Sequence, residues 1–163
     1  MKISLKWLNE FVNIEDYFSK PEALAEILTR AGLEVEEIKN LSKDFENVVV
    51  GLILEKGKHP QADRLSLCQV TTGEGVVHQI VCGAQNHQQN DKVVVALPGA
   101  VLPGNFAIKK AVVRGVESGG MLCSLKELGL ATESEGIVIL PENAPIGQAF
   151  ASYQGLDDVT FEL

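Results

Sequence analysis

The apolar positions change their spacing twice along the chain, and each change predicts a different kind of element. Near the N-terminus Trp7, Leu8, Phe11 and Val12 recur at helical intervals behind Ser4, whose hydroxyl suits an N-cap. Ser19-Lys20-Pro21-Glu22 has the form of a capping box, in which the serine takes one orphan N–H and the glutamate reaches back to another. Leu24, Ile27, Leu28 and Ala31 mark one face of a second helix, and Gly32 stands where a left-handed C-terminal residue is wanted. Leu33 and Val35 then alternate with acids, as in a half-buried strand. A segment this short cannot bury enough surface to close its own core, so it needs a partner from elsewhere in the chain.

From residue 39 to residue 151 the rhythm shortens. Valine-rich apolar runs recur at Val48–Leu54, Leu65–Val70, Val76–Val81, Val93–Leu97 and Ile108–Val113. Thr72-Gly73-Glu74-Gly75 separates two of them with a hairpin turn. Five short strands joined by glycine-rich turns predict a small closed barrel. After it, Ser124-Leu125-Lys126-Glu127 is a second capping box opening a short helix that Gly129 ends. Gly136–Leu140 is a further strand before a loop with Pro141 and Pro145. The residues from Asp158 to Leu163 alternate strictly and are the natural partner of a Leu33–Ile38 strand. That pairing makes the expected fold α+β: a small α/β domain of residues 1–38 and 152–163, interrupted by an inserted five-stranded barrel over 39–151. Leu163 falls in mid-strand, which reads as the edge of a longer polypeptide.

Composition narrows the class. With 45% hydrophobic and 22% charged residues among 163, the chain is expected to fold and not to be disordered. Its longest apolar run, Val48–Leu54, is broken by Gly51 and falls far short of the ~20 residues a bilayer span needs. Met1 to Lys6 alternates charge with apolar residues and lacks the apolar core of a signal peptide, so a cytoplasmic location is expected. Cys68, Cys82 and Cys123 include no CxxC pair, which argues against both a zinc site and a disulfide framework. The net charge of −8 argues against indiscriminate coating of nucleic acid. That charge is uneven: residues 1–40 hold 5 basic and 8 acidic groups, residues 41–114 hold 8 and 6, and residues 115–163 hold 1 and 8. A mildly basic centre lies between acidic flanks.

The search for catalytic chemistry finds little. Glycine-rich phosphate loops, a Gly-x-Ser-x-Gly elbow and a His-Glu-x-x-His helix are all missing. A Cys–His pair would have to draw on Cys82 or Cys123 with His59, His78 or His87, and the apolar surroundings of both cysteines suit buried, inert thiols. No catalytic residue is assigned, and this stretch alone is not expected to be an enzyme. The stretch from Lys56 to Arg64 is more informative. Pro60 bars His59 from the helical region, and Asp63 has a side chain suited to fixing the turn, so Lys56, Lys58, His59 and Arg64 are expected at one rim. In a five-stranded barrel the loop between the first two strands borders the oligonucleotide face. Lys109, Lys110 and Arg114 form a second basic group on the fifth strand, followed by Ser118-Gly119-Gly120, whose glycines permit a close backbone approach. Between residues 19 and 149 the only aromatics are Phe45 and Phe106, too few for a base-stacking platform, so any recognition is expected to be of backbone and shape.

Four ordered motifs carry a resemblance. These are His59-Pro60-x-Ala62-Asp63-x-Leu65; Gln79-Ile80-Val81-Cys82-Gly83-Ala84-x-Asn86; Val95-Ala96-Leu97-x-Gly99-Ala100; and Lys109-Lys110-Ala111-x-x-Arg114-Gly115-Val116-Glu117-Ser118-x-Gly120-Met121-Leu122-Cys123-Ser124. Together they resemble the tRNA-binding OB module, in the form inserted near the N-terminus of bacterial phenylalanine–tRNA ligase β chains. The flanking Met1-Lys2-x-Ser4-x-x-Trp7-Leu8, Ala31-Gly32-Leu33-Glu34-Val35-Glu36 and Gly155-Leu156-Asp157-Asp158 are similar to the first domain of such chains. The resemblance implies a cytoplasmic α2β2 class II synthetase that joins phenylalanine to its tRNA using ATP and magnesium. It places aminoacylation in the α chain and editing in the β chain beyond residue 163. For this stretch it implies no cofactor of its own, and as partners tRNA (held weakly, by its backbone), the rest of the β chain and the α chain. Asn86 and Ser118 thereby join Lys56, Lys58, His59, Arg64, Lys109, Lys110 and Arg114 as candidate nucleic-acid-binding residues. Two alternatives stay open: an architectural barrel with little RNA contact, and a standalone tRNA-binding chaperone.

Overall fold

The computed structural model describes residues 1–163. Along the chain run β1 (Lys2–Ser4), α1 (Leu5–Asn9), α2 (Pro21–Arg30) and β2 (Glu37–Asn40), then β3 (Val48–His59), β4 (Ala62–Gly73), β5 (Val76–Cys82) and β6 (Lys92–Ala96). Shorter strands follow: β7 (Val101–Leu102), β8 (Phe106–Ala107), β9 (Ala111–Val113), β10 (Val116–Ser118), β11 (Met121–Leu122) and β12 (Ile139–Leu140). α3 (Phe150–Tyr153) and β13 (Val159–Glu162) end the series. Strand outweighs helix. The chain divides into two compact units, Met1–Lys43 with Gln154–Leu163, and Asp44–Tyr153.

In the first unit β13 lies between β1 and β2, antiparallel to both, so Phe161 sits opposite Ile3 on one side and Ile38 on the other. Phe161 is fully buried with Leu5, Ile14, Leu24 and Ala25. Ser4 does cap α1, accepting the N–H of Trp7 at 3.1 Å, but α1 is one short turn. Trp7, Phe11 and Val12, though at helical spacing, stay exposed. α2 begins at Pro21 with Lys20 at the N-cap and no side-chain cap bond, so the expected Ser19 cap is absent. A proline at the first helical position already removes one orphan N–H and presets its dihedral, which leaves less for a serine to do. Leu24 and Ala25 are the residues of α2 that bury, while Ile27 and Ala31 face out. The C-terminus ends in a Schellman arrangement: Gly32 has φ +95°, its N–H donates to Thr29 O, and Leu33 N–H donates to Leu28 O.

The second unit is an antiparallel sheet in the order β11-β6-β3-β4-β5, with β12 also on β6. Ile53, Cys68, Val70, Ile80, Val93 and Val95 fill its concave side, all fully buried. The β4–β5 turn is of the expected kind, with Glu74 at φ +54° and Gly75 at φ +73°, which matches the right-handed twist of the strands. The sheet curls until its edges share one segment. Gly119 N–H donates to Gln79 O on β5 at 2.7 Å, and two residues on Met121 pairs with Ala96 on β6. A Cβ on Gly120 would lie 2.8 Å from Ala96 O, so only glycine lets the chain cross there.

Three expectations need correction. β3 and β4 do not stop at Leu54 and start at Leu65: they run on as a paired arm to His59 and Ala62, with only Pro60-Gln61 between. No fifth strand spans Ile108–Val113, because Lys109 and Lys110 lie in a connection before β9, and β9 turns back at Arg114-Gly115 into β10. The Ser124–Glu127 box is formed, with Glu127 N–H on Ser124 Oγ and Ser124 N–H on Glu127 Oε2, but it closes a single turn and no helix follows.

Candidate nucleic-acid interface

The first basic group predicted from sequence lies on the β3–β4 hairpin, the second on the β9–β10 turn and the connection leading into that hairpin, and the structure brings the two hairpin tips together. In the first, β3 and β4 shift register at Leu54 and again beyond Lys58. Lys58 pairs with Ser66 but His59 with Ala62, which leaves Asp63, Arg64 and Leu65 bulged outward on β4. Lys58 and Arg64 are exposed there. In the second, Arg114 (φ +51°) and Gly115 (φ +82°) make the two-residue turn between β9 and β10. A left-handed arginine is strained where asparagine or glycine would be relaxed, so a cationic tip is kept at some cost.

His59 joins the tips. It is 4% exposed and so is not displayed beside Lys58 and Arg64 as expected. Its Nδ1 accepts the N–H of Gln61 at 3.0 Å, and its Nε2 lies 2.8 Å from the carbonyl of Val113, the residue before the Arg114 turn. A carbonyl only accepts, so Nε2 carries the proton and donates. Both ring nitrogens are thereby committed to backbone. The expected Asx-type bond from Asp63 is not formed; His59 fixes this turn instead.

Two more candidates prove to be stitches within the fold. Ser118 is buried, accepts Val81 N–H at 3.0 Å and donates to Gly120 O at 3.2 Å, tying β10 to β5. Asn86 donates to Ile137 O at 2.9 Å and accepts Ile137 N–H at 3.0 Å, as a neighbouring strand would. Lys56 donates to His87 O at 2.6 Å, which ties its ammonium to the barrel wall. That leaves Lys58, Arg64, Lys109, Lys110 and Arg114 as the exposed candidate cations with no side-chain hydrogen bond in the chain. All four ion pairs of the chain involve Met1, Lys2, Lys6 or Arg30, so no basic side chain of Asp44–Tyr153 is neutralised by a carboxylate. An open cleft of about 470 Å³ separates β5 from the base of the β9–β10 hairpin, with Lys110, Val77, His78 and Glu117 on its walls. Sequence reasoning left out Lys126, which shares a second cleft with Pro103, Ser134 and the half-exposed ring of Phe106. Phe45, the other candidate for stacking, is buried edge-on against Phe150.

The one Cys–His pair is not among those considered from sequence. Cys68 Sγ lies 3.4 Å from His87 Nε2, both buried. Burial pushes the Cys68 thiol up to about 11, and burial together with the Lys56 ammonium pushes His87 down, so the pair rests as neutral thiol and neutral imidazole. An activated nucleophile requires the opposite shifts. Cys123 is likewise pushed up to about 12 by burial and by Glu127. These thiols ionise near their ordinary 9.0 once unfolded, so between that value and 11 the unfolded state has lost protons the folded state keeps, and stability falls as pH rises. Denaturant midpoints measured from about pH 8 to about pH 10.5 are expected to drop, and to drop less steeply when Cys68 and Cys123 are both alanine. Equal slopes in the two proteins would contradict the assignment. No group of three or more His, Cys, Asp or Glu side chains placed to hold a metal ion occurs in the chain. No helix is long and apolar enough to cross a membrane.

The family model described as "Putative tRNA binding domain" matches residues 48–149. The phenylalanine–tRNA ligase beta subunit of Bdellovibrio bacteriovorus is 74% identical over all 163 residues, which cover 20% of that protein. Those of Fusobacterium nucleatum and Dechloromonas aromatica are 55% and 54% identical over the same span and the same share. The chain thus spans about one fifth of the length of the curated relatives it matches. Among solved structures, the C-terminal domain of Plasmodium vivax p43 overlaps 66% of this chain and 59% of its own, with 23% identity and a TM-score of 0.48.

Proposed function

The chain belongs to the tRNA-binding domain family, and from that premise we propose that Asp44–Tyr153 holds tRNA by its sugar–phosphate backbone, through the joined hairpin tips. The observation that carries this is the cluster of cations that no carboxylate neutralises: Lys58 and Arg64 on one tip, Arg114 on the other, with Lys109 and Lys110 leading into it. The unit holds 8 basic and 11 acidic residues, so attraction must be local and does not come from net charge. With one half-exposed aromatic ring available, the contacts position the RNA without reading bases.

We read the unit as an OB-fold barrel inserted into a discontinuous first domain, residues 1–43 and 154–163. The chain then serves as the tRNA-binding portion of a cytoplasmic phenylalanine–tRNA ligase β subunit that works with an α chain. ATP, magnesium and the bond-forming chemistry belong to the rest of that assembly, and this chain supplies grip. A tRNA titration of the 163-residue chain at low salt, followed by fluorescence anisotropy, is expected to show binding in the micromolar range. No binding at low salt would leave the unit an architectural barrel.

A further inference from the structure

We propose that His59 is a positioning residue for RNA contact: it holds the Arg114 turn against the β3–β4 tip, so that two hairpins present one cationic surface. The proposal rests on the tRNA-binding reading for its consequence, but its geometry stands apart from RNA. Three observations support it. His59 is 4% exposed, so its imidazole is out of reach of a phosphate. Its two nitrogens bridge the tips, taking Gln61 N–H on one side and donating to Val113 O on the other. The second tip also touches the first at Gly115, where an added Cβ would stand 3.8 Å from Gln61 Oε1. β9 and β10 pair only with each other over three residues apiece, and β10 is tied to β5 only at its Ser118 end. The Arg114 end of this ribbon projects away from that anchor, and an isolated two-stranded ribbon is marginal in water. The His59–Val113 bond is its one side-chain restraint at that end.

Arginine at the turn acts only where the turn is held, so the effects of losing His59 and losing Arg114 should overlap. In tRNA titrations at low salt, Arg114→Ala is expected to weaken binding about two- to fivefold, the usual size of one exposed ionic contact. His59→Ala should cost as much, and the double variant no more than either alone. His59→Gln, whose amide N–H can still reach Val113 O, should recover most of the loss. Fully additive effects, or a His59→Gln variant no better than His59→Ala, would overturn the proposal. Amide hydrogen exchange reads the latch without RNA: His59→Ala is expected to speed exchange at Val113 and Val116, which pair across the Arg114-Gly115 turn, at least tenfold while β3–β6 keep their protection. If the wild-type chain binds no tRNA, the functional reading fails and this exchange result still decides the latch. Unchanged exchange at Val113 and Val116 would refute it.

Discussion

Gly51→Ala is expected to cost the Asp44–Tyr153 unit about 3 kcal/mol or more, a large part of the stability of an ordinary domain. Gly51 lies on β3 opposite Val93 of β6. A Cβ there would stand 2.6 Å from Val95 Cγ2 and 2.9 Å from Val70 Cγ1, with Thr71 O at 3.3 Å behind them. Val70 and Val95 are fully buried and β-branched, so neither has a second rotamer to retreat into. The relief must come from separating strands. Gly57 on the same strand supplies the control, because an added Cβ meets nothing within 4 Å on the exposed arm. Gly57→Ala should be neutral or slightly stabilising, since it restricts the unfolded chain without a clash. Denaturant midpoints measure both. A Gly51→Ala protein within about 0.5 kcal/mol of wild type would mean that the core is looser than described.

Removing three cations at once should have the largest effect on binding. Lys109→Ala, Lys110→Ala and Arg114→Ala together take away the whole contribution of the second hairpin and its approach, leaving Lys58 and Arg64. If each contact is worth the two- to fivefold typical of an exposed ion pair, the triple variant binds tRNA on the order of 10- to 100-fold more weakly at low salt. Every tRNA should suffer alike, because phosphate contacts carry no sequence information. Folding should be unaffected, since all three side chains are exposed and none pairs with a carboxylate. An unchanged affinity in a variant with native circular dichroism would remove these residues from the interface.

How far the chain could be read in advance follows from where burial is one-sided. Val48–Leu54, Val76–Val81 and Val93–Leu97 announce themselves because strands against a core must be apolar, and the structure places strands on all three. The β3–β4 arm does not: Lys56, Gly57 and Lys58 are exposed, so pairing leaves no hydrophobic trace and the segment reads as loop. The β9–β10 turn was hidden by its chemistry, since Arg-Gly is not the asparagine- or aspartate-led pair that signals such a turn. β1, three residues long, is beneath any periodicity. Pairing of the last strand with the segment near Ile38 was legible from strict alternation, although β2 begins at Glu37 and not at Leu33.

The site was legible as charge and illegible as geometry. Lys58, Arg64, Lys109, Lys110 and Arg114 were found as basic groups, and the structure leaves them exposed. His59 was grouped with them by its place in the loop, and Asn86 and Ser118 by motif, yet each spends its polar atoms on backbone. Polar side chains that satisfy buried N–H and C=O groups have the same composition as polar side chains that meet a ligand. Only the count of partners tells them apart.

The salt dependence of tRNA binding by the 163-residue chain, measured with cognate and non-cognate tRNA, tests backbone grip most directly. Engagement of about three to five phosphates by the joined tips predicts a slope of log affinity against log salt of roughly −2 to −4, the same for both RNAs. A slope near zero, or a slope that differs between the two tRNAs, would contradict it.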